Sequence, residues 1–94
     1  MVSLLLERDL ERYFTKQCKA LKLMTLKLNV RYNRGWPDRV VIFNDGTVIW
    51  VELKRPGGKL SALQSKVILE LRECKQEVYV IDSKKGIDDV LATA

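Results

Sequence analysis

Arg39-Val40-Val41-Ile42-Phe43-Asn44-Asp45-Gly46-Thr47-Val48-Ile49-Trp50-Val51-Glu52-Leu53-Lys54 is the stretch on which the fold turns. Arg39 to Phe43 and Thr47 to Leu53 are rich in β-branched and aromatic residues, and Asn44-Asp45-Gly46 separates them. That composition predicts two antiparallel strands joined by a tight hairpin. A hairpin brings its open ends together, so Asp38, just before the first strand, converges with Glu52-Leu53-Lys54 at the end of the second. Loop length decides which faces meet. A two-residue Asp45-Gly46 loop sets Asp38 opposite Leu53 and separates the carboxylates. A three-residue Asn44-Asp45-Gly46 loop sets Asp38 opposite Glu52, pairs Val40 with Trp50 and Ile42 with Val48, and requires a positive φ at Gly46.

Outward from the hairpin, Ser3 to about Leu21 carries apolar residues at helical spacing (Leu6, Leu10, Tyr13 or Phe14, Ala20 or Leu21), with Ser3 as a cap. Thr25 to Tyr32 alternates apolar with polar residues, the signature of a half-buried strand. Asn33-Arg34-Gly35-Trp36-Pro37 then breaks the pattern and predicts a loop. Pro56-Gly57-Gly58 ends the third strand. Leu60, Leu63, Val67, Ile68 and Leu71 recur at helical spacing as far as about Cys74, and Ser61 caps that helix. Glu77 to Asp82 reads as a fourth strand and Gly86 to Ala92 as a short terminal helix. This order predicts an α/β (strictly α+β) domain with a mixed four-stranded sheet, the second helix being a crossover that returns a parallel strand.

With 94 residues, of which 47% are hydrophobic, the chain is expected to form one domain spanning 1–94. Seventeen Lys and Arg against twelve Asp and Glu give a net charge of +5, which favours a polyanionic partner such as nucleic acid. The absence of histidine removes His-dependent triads and a histidine general base, so any catalysis must centre on carboxylates, lysine and bound metal. Cys18 and Cys74 are too far apart for a metal knuckle, and reduced thiols in a cytoplasm are expected. Leu4-Leu5-Leu6 is interrupted at once by Glu7, Arg8 and Asp9, so no membrane span is expected.

Two carboxylates and an ammonium at one end of a hairpin suit phosphodiester hydrolysis. Carboxylates hold a hard divalent cation, and the cation activates water and neutralises developing charge. Glu-x-Lys alone is more often an exposed ion pair at a strand end. Its significance here comes from the apolar stretch Val48-Ile49-Trp50-Val51 that it terminates and the Gly-x-Pro-Asp stretch that opens the partner strand. Arg31, Arg34, Arg39, Lys54, Arg55 and Lys59 flank this cluster and are expected to line a phosphate-binding groove. Tyr32 and Trp36 are candidates for stacking on nucleic acid, although an aromatic beside a strand is more often core. Trp50, Cys18 and Cys74 read as structural.

Gly35-Trp36-Pro37-Asp38, Val51-Glu52-Leu53-Lys54, Gly58-Lys59-Leu60-Ser61 and Gln64 together resemble the virus-type replication-repair nuclease (VRR-NUC) domain of the PD-(D/E)XK nuclease superfamily. The resemblance spans nearly the whole chain and implies a restriction-endonuclease-like αβββαβ core. It further implies that Asp38 and Glu52 bind Mg²⁺ or Mn²⁺, that the Leu53 carbonyl is a further ligand and that Lys54 is the catalytic lysine. A helix-one glutamate completes the metal site in this family. Glu11 matches it, with Glu7 one turn earlier on the same face as the other candidate, and Gln64 matches a glutamine that borders the site.

Stand-alone members of such a family look like phage-type, structure-specific endonucleases that act as homodimers on branched DNA such as four-way (Holliday) junctions. A cytoplasmic location in a bacterial or phage-infected host cell goes with that reading. Two alternatives are a monomeric flap or nicking nuclease and a non-catalytic DNA-binding module whose carboxylates are structural. Dependence on a divalent cation separates the enzymes from the module.

Overall fold

The computed structural model describes residues 6–29 and 31–93. In chain order it contains helix α1 (Glu7–Ala20), strands β1 (Met24–Lys27), β2 (Arg39–Ile42) and β3 (Val48–Leu53), helix α2 (Ala62–Glu73), strand β4 (Glu77–Ile81) and helix α3 (Lys84–Leu91). The strands form one sheet in the order β1-β2-β3-β4, antiparallel up to β3 and parallel between β3 and β4. The mixed four-stranded sheet flanked by helices is therefore found, with α2 as the crossover that the parallel step needs.

One face of the sheet packs Val41, Ile49, Val51, Leu53 and Ile81 against Leu10, Phe14 and Cys18 of α1 and against Ile87 and Leu91 of α3. On the other face Trp50 and Val78 lie beneath Val67, Ile68 and Leu71 of α2. Met24, Ile42 and Val48 are cross-strand partners that share this second face, and all three are exposed, as is Leu26. An apolar row thus stays open across β1, β2 and the start of β3.

Each boundary has a local cause. The Leu6 N–H donates to the Asp9 carboxylate (2.9 Å) where α1 begins; the Ser3 cap lies outside the described residues. Ser61 caps α2 reciprocally with Gln64, and the Ser83 hydroxyl accepts from the Gly86 N–H (3.0 Å) to start α3 two residues earlier than the spacing suggested.

The first strand is a correction. Alternation predicted Thr25 to Tyr32, yet β1 ends at Lys27, followed by one further bond from the Leu28 N–H to the Asp38 carbonyl (2.7 Å). Beyond it Asn29 takes over. Its side-chain oxygen accepts from the Arg31 N–H (2.9 Å), and its carbonyl accepts from the Tyr32 N–H (3.2 Å) and the Asn33 amide (3.1 Å). These local bonds compete with the ladder and turn the chain away from the sheet. Val30 lies outside the described residues.

The hairpin takes the three-residue form. The Phe43 N–H donates to the Thr47 carbonyl (2.8 Å), the Gly46 N–H donates back to the Phe43 carbonyl (3.0 Å), and Gly46 has φ +92°. Val40 pairs with Trp50 and Ile42 with Val48. A side chain at Gly46 would meet no clash, since nothing lies within 4 Å of the Cβ position; the backbone conformation alone selects glycine.

Candidate active site

The last paired residues of the hairpin are Arg39 and Val51. One step further along the same register, Asp38 stands opposite Glu52, on the face shared by Val40 and Trp50, and Lys54 follows on that face. Pro37, buried beside Asp38, donates nothing to the ladder and so marks where pairing stops.

Glu52 is only 7% exposed. Burial and the neighbouring Asp38 charge push its carboxyl up to about 7, with Glu7 adding in the same direction and Lys54 opposing. Burial likewise raises the Asp38 carboxyl, helped by the charge of Glu11 and opposed by Lys27 and Arg39. The Lys54 ammonium sits 3.9 Å from the Glu52 carboxylate and is itself mostly buried. Its backbone N–H donates to the Ile81 carbonyl (2.9 Å), so β4 fixes the strand end that carries it. Two acidic groups lie at one sheet end, Lys54 beside Glu52, and the Asp38 charge raises the cost of ionising Glu52. Oxygen donors in that relation fit a hard divalent cation, whose charge would offset their repulsion.

Glu11 lies between two cations, and its charge reaches Asp38. Its carboxylate accepts from Arg39 Nη2 (3.0 Å) and is paired with Lys27, so both cations hold its carboxyl below the usual range against partial burial. Among the described residues no group of three or more carboxylate or thiol side chains is gathered into a cation cage. Glu7, the other helix-one candidate, is exposed, and its charge is felt at Glu52. Gln64 uses its amide oxygen to accept from the Ser61 N–H (2.8 Å), closing the cap of α2.

The basic residues divide. Arg31, Arg34, Arg55 and Lys59 are exposed, the last two on either side of a turn closed by the Gly58 N–H and the Arg55 carbonyl (2.8 Å). Arg39 is a correction: it is 9% exposed, its guanidinium lies 5.9 Å from the centre of the Phe14 ring, and it pairs with Glu11 instead of lining a groove. The arginine opens a strand whose alternate residues face the core, and α1 supplies a carboxylate that makes this tolerable. Lys27, the cross-strand partner of Arg39 and the second cation on Glu11, was missed by sequence reasoning. Its signal was a charged residue in phase with inward-facing Thr25. Cys74 is also corrected, being exposed at the end of α2, whereas Cys18 is buried and its thiol is pushed up to about 11 by desolvation.

Trp36 leans on Trp50, with ring centroids 5.7 Å apart, and is half-exposed, while Tyr32 stands out into solvent; neither is core. No helix among the described residues is long and apolar enough to cross a membrane.

With this geometry in view, the sequence model of the VRR-NUC domain matches residues 4–85. A relative described as "Putative nuclease p44", from Acyrthosiphon pisum secondary endosymbiont phage 1, is 30% identical over 81 residues, which covers 86% of this chain and 87% of the relative. A solved structure described as a VRR_NUC domain superposes with a TM-score of 0.81 at 26% identity, covering 92% of this chain and 94% of the other.

Proposed function

The chain belongs to the VRR-NUC domain family and is a nuclease domain, and from that premise we propose that it is an Mg²⁺- or Mn²⁺-dependent endonuclease that acts as a homodimer on branched DNA such as four-way junctions. The observation that carries this reading is the hairpin register, which ends at Arg39–Val51 and so directs half-buried Asp38 toward buried Glu52, whose carboxyl feels the Asp38 charge and lies 3.9 Å from Lys54.

In this proposal Asp38 and Glu52 hold the cation, and the Leu53 backbone carbonyl between Glu52 and Lys54 is a further ligand. When bound there, a cation would supply Lewis-acid stabilisation of a phosphate oxygen and would lower the pKa of a water. Lys54 offers a fixed positive charge where negative charge develops on the phosphate, and burial away from bulk water strengthens that effect. Glu11 supports the site through its ion pairs, positioning the β1–β2 end that carries Asp38. Gln64 borders the site as the cap of α2. Arg31, Arg34, Arg55 and Lys59 contact phosphates of the substrate, steering it and fixing its register.

Dimerisation is supported by the open apolar row of Met24, Leu26, Ile42 and Val48, a surface that a second copy would remove from water. Two copies related by a two-fold axis would present two hydrolytic sites to a substrate that itself has two-fold symmetry.

Purified protein is to be incubated with linear duplex, single strand, flap and four-way junction, each with Mg²⁺, Mn²⁺ or EDTA. Cation-dependent cleavage that is fastest on the junction, lost in Asp38→Asn and in Glu52→Gln while DNA binding in Ca²⁺ survives, is the expected result. Cleavage that persists in EDTA, or in either variant, removes the proposed site. A solution mass near 10.9 kDa, instead of twice that, with undiminished cleavage makes the protein a monomeric flap or nicking nuclease.

A further inference from the structure

The segment between β1 and β2 carries an arrangement that hydrolysis itself does not need. Tyr32 is 78% exposed, an unusual setting for an aromatic ring, and the arginines flanking it, Arg31 and Arg34, are exposed as well. The described backbone on either side of them is held by hydrogen bonds. The Leu28 N–H donates to the Asp38 carbonyl (2.7 Å) at the neck of the loop, the Asn29 side chain and carbonyl hold Arg31, Tyr32 and Asn33, and the Trp36 N–H donates to the Asn33 carbonyl (3.1 Å). On the far side Gly35 passes so close to α2 that a Cβ would come within 2.5 Å of Leu63, and Trp36 is braced on Trp50. The loop is thus pinned to the end of the sheet that carries Asp38 and holds one bare aromatic ring between two cations.

We propose that Tyr32 is a specificity-determining residue that stacks on an unpaired or unstacked base at a DNA branch point, while Arg31 and Arg34 contact the phosphates on either side. This rests on the nuclease reading and deepens it. An exposed ring flanked by guanidinium groups matches a ligand that offers both π-faces and phosphates, and a chain of net charge +5 favours that polyanion. In a continuous duplex every base face is covered by its neighbours, so Tyr32 has nothing to stack on. At a junction, flap or nick a face becomes available, and the pinned loop meets it without paying to order itself. Selection of branched DNA follows from geometry alone, without reading of sequence.

The test uses a four-way junction with 2-aminopurine at the branch point and a continuous duplex with the same base, bound in Ca²⁺ to prevent turnover. The parent is expected to change the fluorescence of the junction and not of the duplex. Tyr32→Phe keeps that change, Tyr32→Ala loses it, and in Mg²⁺ the ratio of kcat/KM for junction over duplex falls about tenfold or more in Tyr32→Ala. Because Tyr32 is exposed, all three proteins should melt alike, which separates the effect from misfolding. If Tyr32→Ala keeps both the fluorescence change and the ratio, or if Tyr32→Phe behaves like Tyr32→Ala, the stacking proposal is overturned. A Tyr32-dependent fluorescence change in a protein that cleaves nothing overturns the nuclease reading and leaves this one standing. A parent that binds no DNA overturns both.

Discussion

The Glu11 carboxylate, carried by α1, accepts a hydrogen bond at 3.0 Å from the Arg39 guanidinium, carried by β2, and the same oxygen is paired with Lys27 on β1. One carboxylate thereby ties the first helix to the two strands whose junction presents Asp38. The guanidinium also lies over Phe14, so the ion pair is built into the packing of α1 on the sheet. Its buried Nε has no hydrogen-bond partner among the described residues, which makes Arg39 depend all the more on Glu11.

Glu11→Gln should therefore act first on stability. It leaves the buried Arg39 without its carboxylate, at an expected cost of about 1–3 kcal/mol in urea denaturation. Glu7→Gln, at an exposed position, should stay within about 0.5 kcal/mol. Calorimetric titration with Mn²⁺ then separates the roles: an affinity in Glu11→Gln within a few-fold of the parent is expected of a positioning residue. A collapse of affinity would return Glu11 to the ligand set.

Glu52 makes cation-free stability depend on pH in the sense opposite to an ordinary paired carboxylate. Its folded pKa of about 7 lies above the ordinary glutamate value of 4.5, so between these limits the native state binds more protons than the unfolded state and stability falls as pH rises. Asp38, also raised, adds in the same direction, whereas Glu11, lowered, loses its contribution only at acid pH below this window. Denaturation in EDTA at pH 5 and pH 7.5 should show a loss on the order of 1–3 kcal/mol. Glu52→Gln should flatten that slope and melt higher than the parent at pH 7.5. A slope unchanged in Glu52→Gln would mean that the buried carboxylate is not its source.

How far the residues themselves announced this molecule depends on the kind of signal. Alternation around Asn44-Asp45-Gly46 announces the hairpin, because turn chemistry and side-chain period are both short-range, but it leaves two loop lengths open; the bonds between Phe43 and Thr47 select the register that sets Asp38 opposite Glu52. The same logic overextended β1 to Tyr32, since alternation cannot register the local bonds through which Asn29 bends the chain. The direction of Arg39 is masked for a different reason. A basic residue near a catalytic motif reads as a phosphate contact, and only the three-dimensional approach of Glu11 turns it inward. Charge on the strand's inward phase, at Arg39 and Lys27, was the available clue.

Since Arg39 is buried, the phosphate contacts should come from the exposed residues alone. DNA affinity is expected to fall with salt at a log-log slope of about 0.9 per phosphate neutralised. The double substitution Arg31→Ala and Arg34→Ala should shallow that slope by about two contacts, as should Arg55→Ala with Lys59→Ala. Fluorescence anisotropy across a range of KCl concentrations reads this out. A slope that none of these substitutions alters would place the DNA on another surface.

The hairpin offers the most direct test of how turn chemistry places the carboxylates. Gly46 has φ +92° and open space around its Cβ position, so a substitution there perturbs backbone conformation and nothing else. Asn tolerates positive φ by bonding locally, whereas a β-branched residue does not. Gly46→Asn should therefore cost little and retain cleavage. Gly46→Val should destabilise the fold by about 1–2 kcal/mol or shift the hairpin to a two-residue loop. In that alternative register Asp38 faces Leu53, and Glu52 loses the like charge that helps hold its carboxyl near 7. The signature to look for is cleavage reduced beyond the loss of folded protein, together with weakened Mn²⁺ binding. If Gly46→Val is merely less stable, and its folded fraction binds Mn²⁺ and cuts DNA as the parent does, the turn does not govern the placement of Asp38 against Glu52.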